Sequence, residues 1–164
     1  MHFTNTLIID RPVTETFAFV SDFENMPKWN YFVEETTSRS PPGRGVGTIY
    51  RQRRRTDEQH FVVTDFESDQ LVAVRTLPPA RDLQMRFTFE PDGGGTRLTD
   101  DWTLDTGLPW WLDRISASRV SSAVRDNLAK LKELLERGRV RLQDGRAETI
   151  SSQGRPGFRS STHL

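Results

Sequence analysis

The sequence contains no cysteine among its 164 residues, which excludes disulfide bonds, thiolate metal ligands and thiol nucleophiles. No apolar run approaches the roughly 18 residues that a membrane-spanning helix needs. Basic and acidic residues number 23 each, so no excess positive charge attracts nucleic acid or an anionic membrane. The three histidines are scattered and lack carboxylates at ligand spacing. We therefore predict no metal, no other cofactor, no nucleic-acid partner and no stable membrane insertion.

The two ends of the chain differ in character. The opening "MHFTNTLIID" lacks the basic and long apolar segments of a signal peptide, which, with the absence of cysteine, predicts a cytoplasmic protein. After Gly138 the sequence is rich in Arg, Gly and Ser and has no sustained apolar period. Such a segment buries too little surface to offset the entropy of ordering. We predict one domain over residues 1–138 and a flexible, basic, solvated tail over residues 139–164.

The first third of the chain predicts a strand followed by two short helices. Residues 3–9 alternate apolar side chains with period two, as a strand does. Pro12 suits the first turn of a helix, and the spacing that follows makes an apolar stripe of Val13, Phe17 and Val20. A second short helix is predicted over residues 24–29, with Pro27 in its first turn.

Residues 31–105 predict six further strands. Apolar runs there recur at regular spacing between short, turn-rich connections, which indicates antiparallel neighbours. Two runs alternate clearly, one through Leu83, Met85, Phe87 and Phe89 and the other through Leu98, Asp100, Trp102 and Leu104. One face of the sheet is therefore apolar and the other is exposed to solvent. The basic run "RQRRR" at residues 51–55 alternates faces, which predicts a solvated edge rather than a nucleic-acid patch.

One long helix is predicted over residues 109–137. Its apolar positions follow a 3.6-residue period through Ala117, Ser121, Val124, Leu128, Leu131 and Leu135, and Gly138 suits its C-terminal end. This stripe needs an apolar face to cover. The expected fold class is α+β, a seven-stranded curved antiparallel sheet with two short helices and one long C-terminal helix against its concave face.

The segment "IDRPVTETFAFVSDFENMPKW" resembles a motif of the START-like (SRPBCC) superfamily, which has the helix-grip fold. The resemblance is carried by Ile9, Pro12, Phe17, Asp22, Pro27 and Trp29, and by "NLAKLKELLE" at residues 127–136. The bacterial polyketide cyclase/dehydrase-like group is the most similar. The resemblance implies a cavity between the long helix and the sheet that binds a hydrophobic molecule such as a lipid, sterol, polyketide or hormone.

Such a cavity needs aromatic walls and a few polar anchors. The candidate walls are Trp29, Tyr31, Tyr50, Phe61, Met85, Phe87, Phe89 and Trp102. The candidate lid and helix residues are Leu108, Trp111 and Ile115.

Asp100 is the most suggestive polar residue, because its position in the alternation places it between Leu98 and Trp102. It is a candidate to orient a ligand hydroxyl or to act as an acid or base. Two structural explanations stay open: a bulge at the Asp100–Asp101 pair, or an ion pair with an arginine on a neighbouring strand. Arg75 is the candidate for that pair, since it shares the alternation of Leu71, Ala73 and Leu77.

Three functions follow from these observations. The leading hypothesis is binding or transport of a hydrophobic small molecule by a monomer or weak homodimer. The first alternative is a polyketide cyclase, aromatase or dehydratase-like enzyme with Asp100 as a weak catalytic candidate, since such chemistry needs a shaped pocket and one acid or base. The second alternative is a co-chaperone-like interaction domain, which predicts a filled interior and an exposed apolar groove.

Overall fold

The fold is seen in a computed structural model that describes residues 1–39 and 44–150. Seven strands form one antiparallel sheet in the order β1-β7-β6-β5-β4-β3-β2. Their bounds are β1 His2–Ile9, β2 Val33–Ser38, β3 Ile49–Arg54, β4 Glu58–Glu67, β5 Leu71–Thr76, β6 Leu83–Asp92 and β7 Gly95–Leu104. Register shifts in β2 and in β4, between Val63 and Asp65, are the bulges that bend a sheet. The predicted α+β helix-grip fold with a curved seven-stranded sheet is confirmed.

Two short helices follow β1, as predicted. Helix α1 spans Val13–Val20 directly after Pro12, and a 3₁₀ helix spans Phe23–Lys28. The predicted position of Pro27 in the first turn is wrong, because Pro27 is the fifth of the six residues. The Asp22 carboxylate accepts a hydrogen bond from the backbone N–H of Glu24 at 3.3 Å, which caps the 3₁₀ helix. These helices support the aromatic core, because Phe23 lies edge-on to Phe61 at 5.3 Å between ring centroids.

Helix α2 spans Trp110–Arg137, and its buried apolar side chains all lie in its C-terminal part. Leu128, Leu131, Leu134 and Leu135 are buried there, whereas Val124 is only partly buried. Gly138 ends the helix with φ 73°, a left-handed conformation that glycine adopts at little cost. No α2 residue before Asn127 is buried, so that part of the helix does not fill the space between it and the sheet.

The structure extends the folded part beyond the predicted boundary at residue 138. Strands β8 (Arg139–Arg141) and β9 (Ala147–Thr149) pair as a hairpin, and Val140 and Leu142 are buried in the core. The prediction that the tail starts at residue 139 is wrong because the left-handed turn at Gly138 reverses the chain. Two alternating apolar residues then reach the core, a pattern too short to show as a sequence period. The rest of the predicted tail, residues 151–164, lies outside the described residues.

The turn between β6 and β7 makes Gly95 sensitive to substitution. A Cβ at Gly95 would lie 2.6 Å from the carbonyl oxygen of Ile9 in the paired strand β1, so one backbone must move. We expect Gly95→Ala to lower the free energy of unfolding by roughly 1–3 kcal/mol, measured by urea denaturation.

Gly45→Ala is the matched control, because a Cβ there meets nothing within 4 Å and no positive φ is required. Its effect should stay within about 0.5 kcal/mol. Equal stabilities for the two variants would contradict the close approach of β7 to β1.

Candidate ligand-binding cavity

A cavity of about 300 Å³ lies between the middle of α2 and the sheet. Small and branched residues of α2 form its roof, and aromatic and sulfur-containing side chains form much of its walls. The roof and wall residues include Val120, Ala123, Val124, Met26, Trp29, Leu83, Met85, Phe87 and Trp102. The short roof side chains leave the space that bulkier residues would fill, so the cavity follows from the composition of this part of the helix.

Asp100 is the carboxylate of this cavity and is only 1% exposed. It lies on β7 opposite Asn5 of β1 and Phe87 of β6, in continuous register on both sides. The predicted alternation is therefore confirmed, and the bulge explanation is wrong. The indole N–H of Trp102, two residues on, donates to both carboxylate oxygens at 2.9 and 2.8 Å.

Burial raises the pKa of Asp100 to about 7. The hydrogen bond from Trp102 favours the ionised form and opposes this shift, while the negative charge of Asp101 adds to it. No cation of the described residues pairs with Asp100. Near neutral pH the group therefore exists in both forms, one that donates a hydrogen bond and one that only accepts.

Arg75 does not reach Asp100, so the predicted ion pair is wrong. Its guanidinium is exposed and binds Asp82 through two hydrogen bonds of 2.7 and 2.6 Å. The consecutive residues Val72, Ala73 and Val74 are all buried. Because both alternations of β5 carry apolar side chains, the sequence could not show which face Arg75 occupies.

Amide side chains supply further polar groups that the sequence analysis missed. Gln59 donates to Gln52 at 2.9 Å, and Asn127 of α2 donates to Asn30 at 3.1 Å. All four residues line the cavity. Alternation along β3 from buried Tyr50 through Gln52 was the available signal, which the interpretation of residues 51–55 as a solvated edge overlooked. These amides can hold a polar group of a ligand.

The structure brings together only some of the predicted site residues. Trp29, Met85, Phe87, Asp100 and Trp102 line the cavity. Tyr50, Phe61 and Phe89 are buried but pack into the core away from it, with the rings of Tyr50 and Phe61 stacked at 5.3 Å. Tyr31 is half-buried outside the cavity, with the Arg55 guanidinium 5.6 Å from its ring centroid.

The predicted lid residues do not close the cavity. Leu108, Trp111 and Ile115 are 45%, 52% and 53% exposed. Trp111 and Ile115 share a shallow surface hollow with Arg114 and Arg119. The roof instead uses Val120 and Val124, because successive helical residues are rotated by about 100° and only one side of α2 faces the sheet.

A sequence model of one protein family matches residues 1–136, and its description is polyketide cyclase / dehydrase and lipid transport. The chain belongs to this family. The match covers the sheet and almost all of α2 and ends before the β8–β9 hairpin. Among curated proteins, no significant sequence match was found.

Several solved structures share the family fold at low sequence identity. TTHA0849 from Thermus thermophilus is 15% identical with a TM-score of 0.67, covering 82% of this chain and 97% of that one. The di-domain ARO/CYC StfQ of the steffimycin biosynthetic pathway is 16% identical with a TM-score of 0.66, covering 83% and 50%. The Aha1 dimer from Colwellia psychrerythraea is 14% identical with a TM-score of 0.59, covering 83% and 96%. At these identities the similarity establishes the fold.

Two further findings concern the described ranges 1–39 and 44–150. No helix there is long and apolar enough to span a membrane. No group of three or more His, Asp or Glu side chains there is arranged to hold a metal ion.

Asp100 predicts a specific dependence of stability on pH. In the unfolded chain the carboxyl loses its proton near its ordinary pKa of 3.8, whereas in the folded protein it keeps the proton up to about pH 7. Folding therefore takes up a proton between these values, and the contribution of Asp100 to the free energy of unfolding falls as pH rises through this window. The full change is on the order of 4 kcal/mol.

Asp100→Asn isolates this contribution, because the amide cannot titrate and its oxygen still accepts from Trp102. We expect the stability of the native protein minus that of the variant to fall between pH 4 and 7 and to level off above pH 7.5. Urea denaturation at a series of pH values measures the free energy of unfolding of the native protein and of the variant. A difference that stays constant with pH would show that the carboxyl is not desolvated.

Proposed function

We propose that this domain binds or transports a hydrophobic small molecule of the lipid, sterol or polyketide-like class in the cavity under α2. The observation that carries the proposal is the cavity of about 300 Å³, which holds the one buried carboxylate of the described residues. This volume lies at the lower end of the range of roughly 300–1,000 Å³ for small-molecule sites. We also propose a cytoplasmic monomer or weak homodimer.

The walls and the polar groups have separate tasks in this proposal. Burial of a ligand against Trp29, Met85 and Phe87 supplies affinity at about 25 cal/mol per Å² of apolar surface, less the cost of association. Asp100 orients the ligand, since its protonated form donates to a carbonyl and its ionised form accepts from a hydroxyl. The Gln52–Gln59 pair offers a second polar contact in the wall.

The comparisons support the class of cargo. Lipid transport and polyketide cyclisation both appear in the description of the family, and StfQ is named as an ARO/CYC of a biosynthetic pathway. Both activities require a hydrophobic molecule to be enclosed by the fold, which is what the cavity provides.

Filling the cavity should abolish binding without unfolding the protein. Ala123 lies in the roof, so Ala123→Phe places a ring inside the cavity, whereas Ser122→Phe places the same ring on the exposed side of α2. Native mass spectrometry of freshly purified protein should show a co-purified small molecule in the native protein and in Ser122→Phe, and none in Ala123→Phe.

A thermal-shift panel provides the second measurement. Oleate, cholesterol and 1,8-dihydroxyanthraquinone represent the three ligand classes. At least one should raise the melting temperature of the native protein and of Ser122→Phe but not that of Ala123→Phe. If no molecule is retained and no member of the panel shifts the native protein, the binding proposal is wrong.

A cyclase or dehydratase-like activity is the first alternative, favoured by the pKa of about 7 at Asp100. An ionised Asp100 would remove a proton from a carbon between two carbonyls of a polyketide. The resulting carbanion would attack the carbon of another carbonyl farther along the polyketide. The oxygen of that carbonyl would take the proton back from Asp100 and become an alcohol. Loss of water from that alcohol would complete a dehydration.

This alternative predicts turnover of a linear poly-β-keto thioester, followed by mass spectrometry. Asp100→Asn should then reduce kcat by about 10²-fold or more while the variant still binds 1,8-dihydroxyanthraquinone. Equal product yields with the native protein, the variant and no protein would leave binding as the function.

A protein-interaction domain is the second alternative. The exposed Trp110, Trp111 and Ile115 favour it, as does the similarity to the Aha1 dimer. It expects a filled interior, however, and the cavity under α2 weighs against it.

A further inference from the structure

The β8–β9 hairpin lies beside the mouth of the cavity. The mouth is formed by Arg54, Arg55 and Thr56 at the β3–β4 turn and by Asn30 and Phe32 before β2. The family match ends at residue 136, so the hairpin lies outside the matched region.

The carboxylate of Asp144 in the hairpin forms hydrogen bonds at the mouth. It accepts hydrogen bonds from the guanidinium of Arg55 and, within the hairpin, from the backbone N–H and Nε of Arg146 at 3.0 and 2.8 Å. Arg55 in turn donates from Nε to the carbonyl oxygen of Tyr31 at 2.9 Å. Asp144 thus links the hairpin to the β3–β4 turn and, through Arg55, to the loop before β2.

A second contact links the hairpin to α2. Gln143 donates to Asn127 at 3.3 Å, and Asn127 donates to Asn30 on the far side of the mouth. The root of the hairpin is held by the buried side chains of Val140 and Leu142. The root is therefore packed into the core, while the tip reaches the mouth through polar contacts.

We propose that the hairpin is a latch in which Asp144 and Gln143 hold the mouth closed and set the rate at which ligands enter and leave the cavity. This inference rests on the proposed binding function. A ligand that passes between the β3–β4 turn and α2 has to separate Arg55 from Asp144. The same contacts re-form once the ligand is inside, so the latch changes the barrier and not the equilibrium affinity.

Stopped-flow fluorescence with N-phenyl-1-naphthylamine tests the latch. This probe is neutral, so it has no charge attraction to the arginines at the mouth. Asp144→Asn weakens the link to Arg55 and keeps the size of the side chain. We expect the association and dissociation rate constants to rise by the same factor, about twofold to fivefold, with an unchanged Kd.

Asp82→Asn is the control, since it weakens an exposed Arg–Asp pair that lies outside the cavity lining. Its two rate constants should equal those of the native protein. Far-UV circular dichroism and thermal melting establish that both variants are folded. If Asp144→Asn does not fold, Arg146→Gln is the second variant, because Arg146 holds the Asp144 carboxylate from within the hairpin. The association and dissociation rate constants should rise for this variant as well.

The outcomes separate the latch from the binding function. If the native protein shows no saturable binding of the probe, or if Ala123→Phe binds it equally well, the cavity is not its site and the binding proposal fails. If the probe binds in the cavity but Asp144→Asn leaves both rate constants unchanged, the latch is wrong. A change of Kd with an unchanged association rate would assign Asp144 to ligand contact and also overturn the latch.

Discussion

The molecule depends on the unequal packing of one helix. The C-terminal part of α2 buries Leu128, Leu131, Leu134 and Leu135 on the sheet, and this apolar contact anchors the helix. Ahead of this part, α2 is held by polar contacts: Ser121 hydrogen-bonds with Asn5 of β1, and Asp113 pairs with the N-terminal ammonium of Met1. The short side chains of Val120, Ala123 and Val124 do not fill the space between α2 and the sheet. The cavity therefore begins where the row of buried leucines on α2 ends, at Leu128.

The same separation creates the unusual environment of Asp100. Its carboxyl is buried and forms no ion pair with a cation of the described residues, so desolvation governs its protonation. The group costs stability when it is ionised, and a packed core would favour an apolar residue there. A carboxyl with a pKa of about 7 can donate or accept a hydrogen bond near neutral pH. The proposed carrier function and the alternative enzyme function are therefore both compatible with this geometry.

The mouth of the cavity depends on residues far apart in the chain. The Tyr31 loop, the β3–β4 turn, Asn127 of α2 and the tip of the C-terminal hairpin meet there through polar contacts. The interior, by contrast, is held by apolar packing. A firm core with a polar, partly exposed rim concentrates local opening at the rim, since polar contacts in water contribute less than apolar burial.

The strand alternation, the two short helices and the long helix, and hence the fold, were predictable from the sequence, because local periodicity reports which face of each element is buried. Periodicity also placed Asp100 inward, since Leu98 and Trp102 share its face. What lies next to that face depends on long-range packing. Arg75 turned outward because β5 is apolar in both alternations, and Trp111 and Ile115 turned outward because one side of α2 meets the sheet. The segment after Gly138 buries Val140 and Leu142 and packs Ile150 against the core, too few residues for a period. Periodicity is a local property, whereas a cavity and its mouth are made by residues that meet only when the chain is folded.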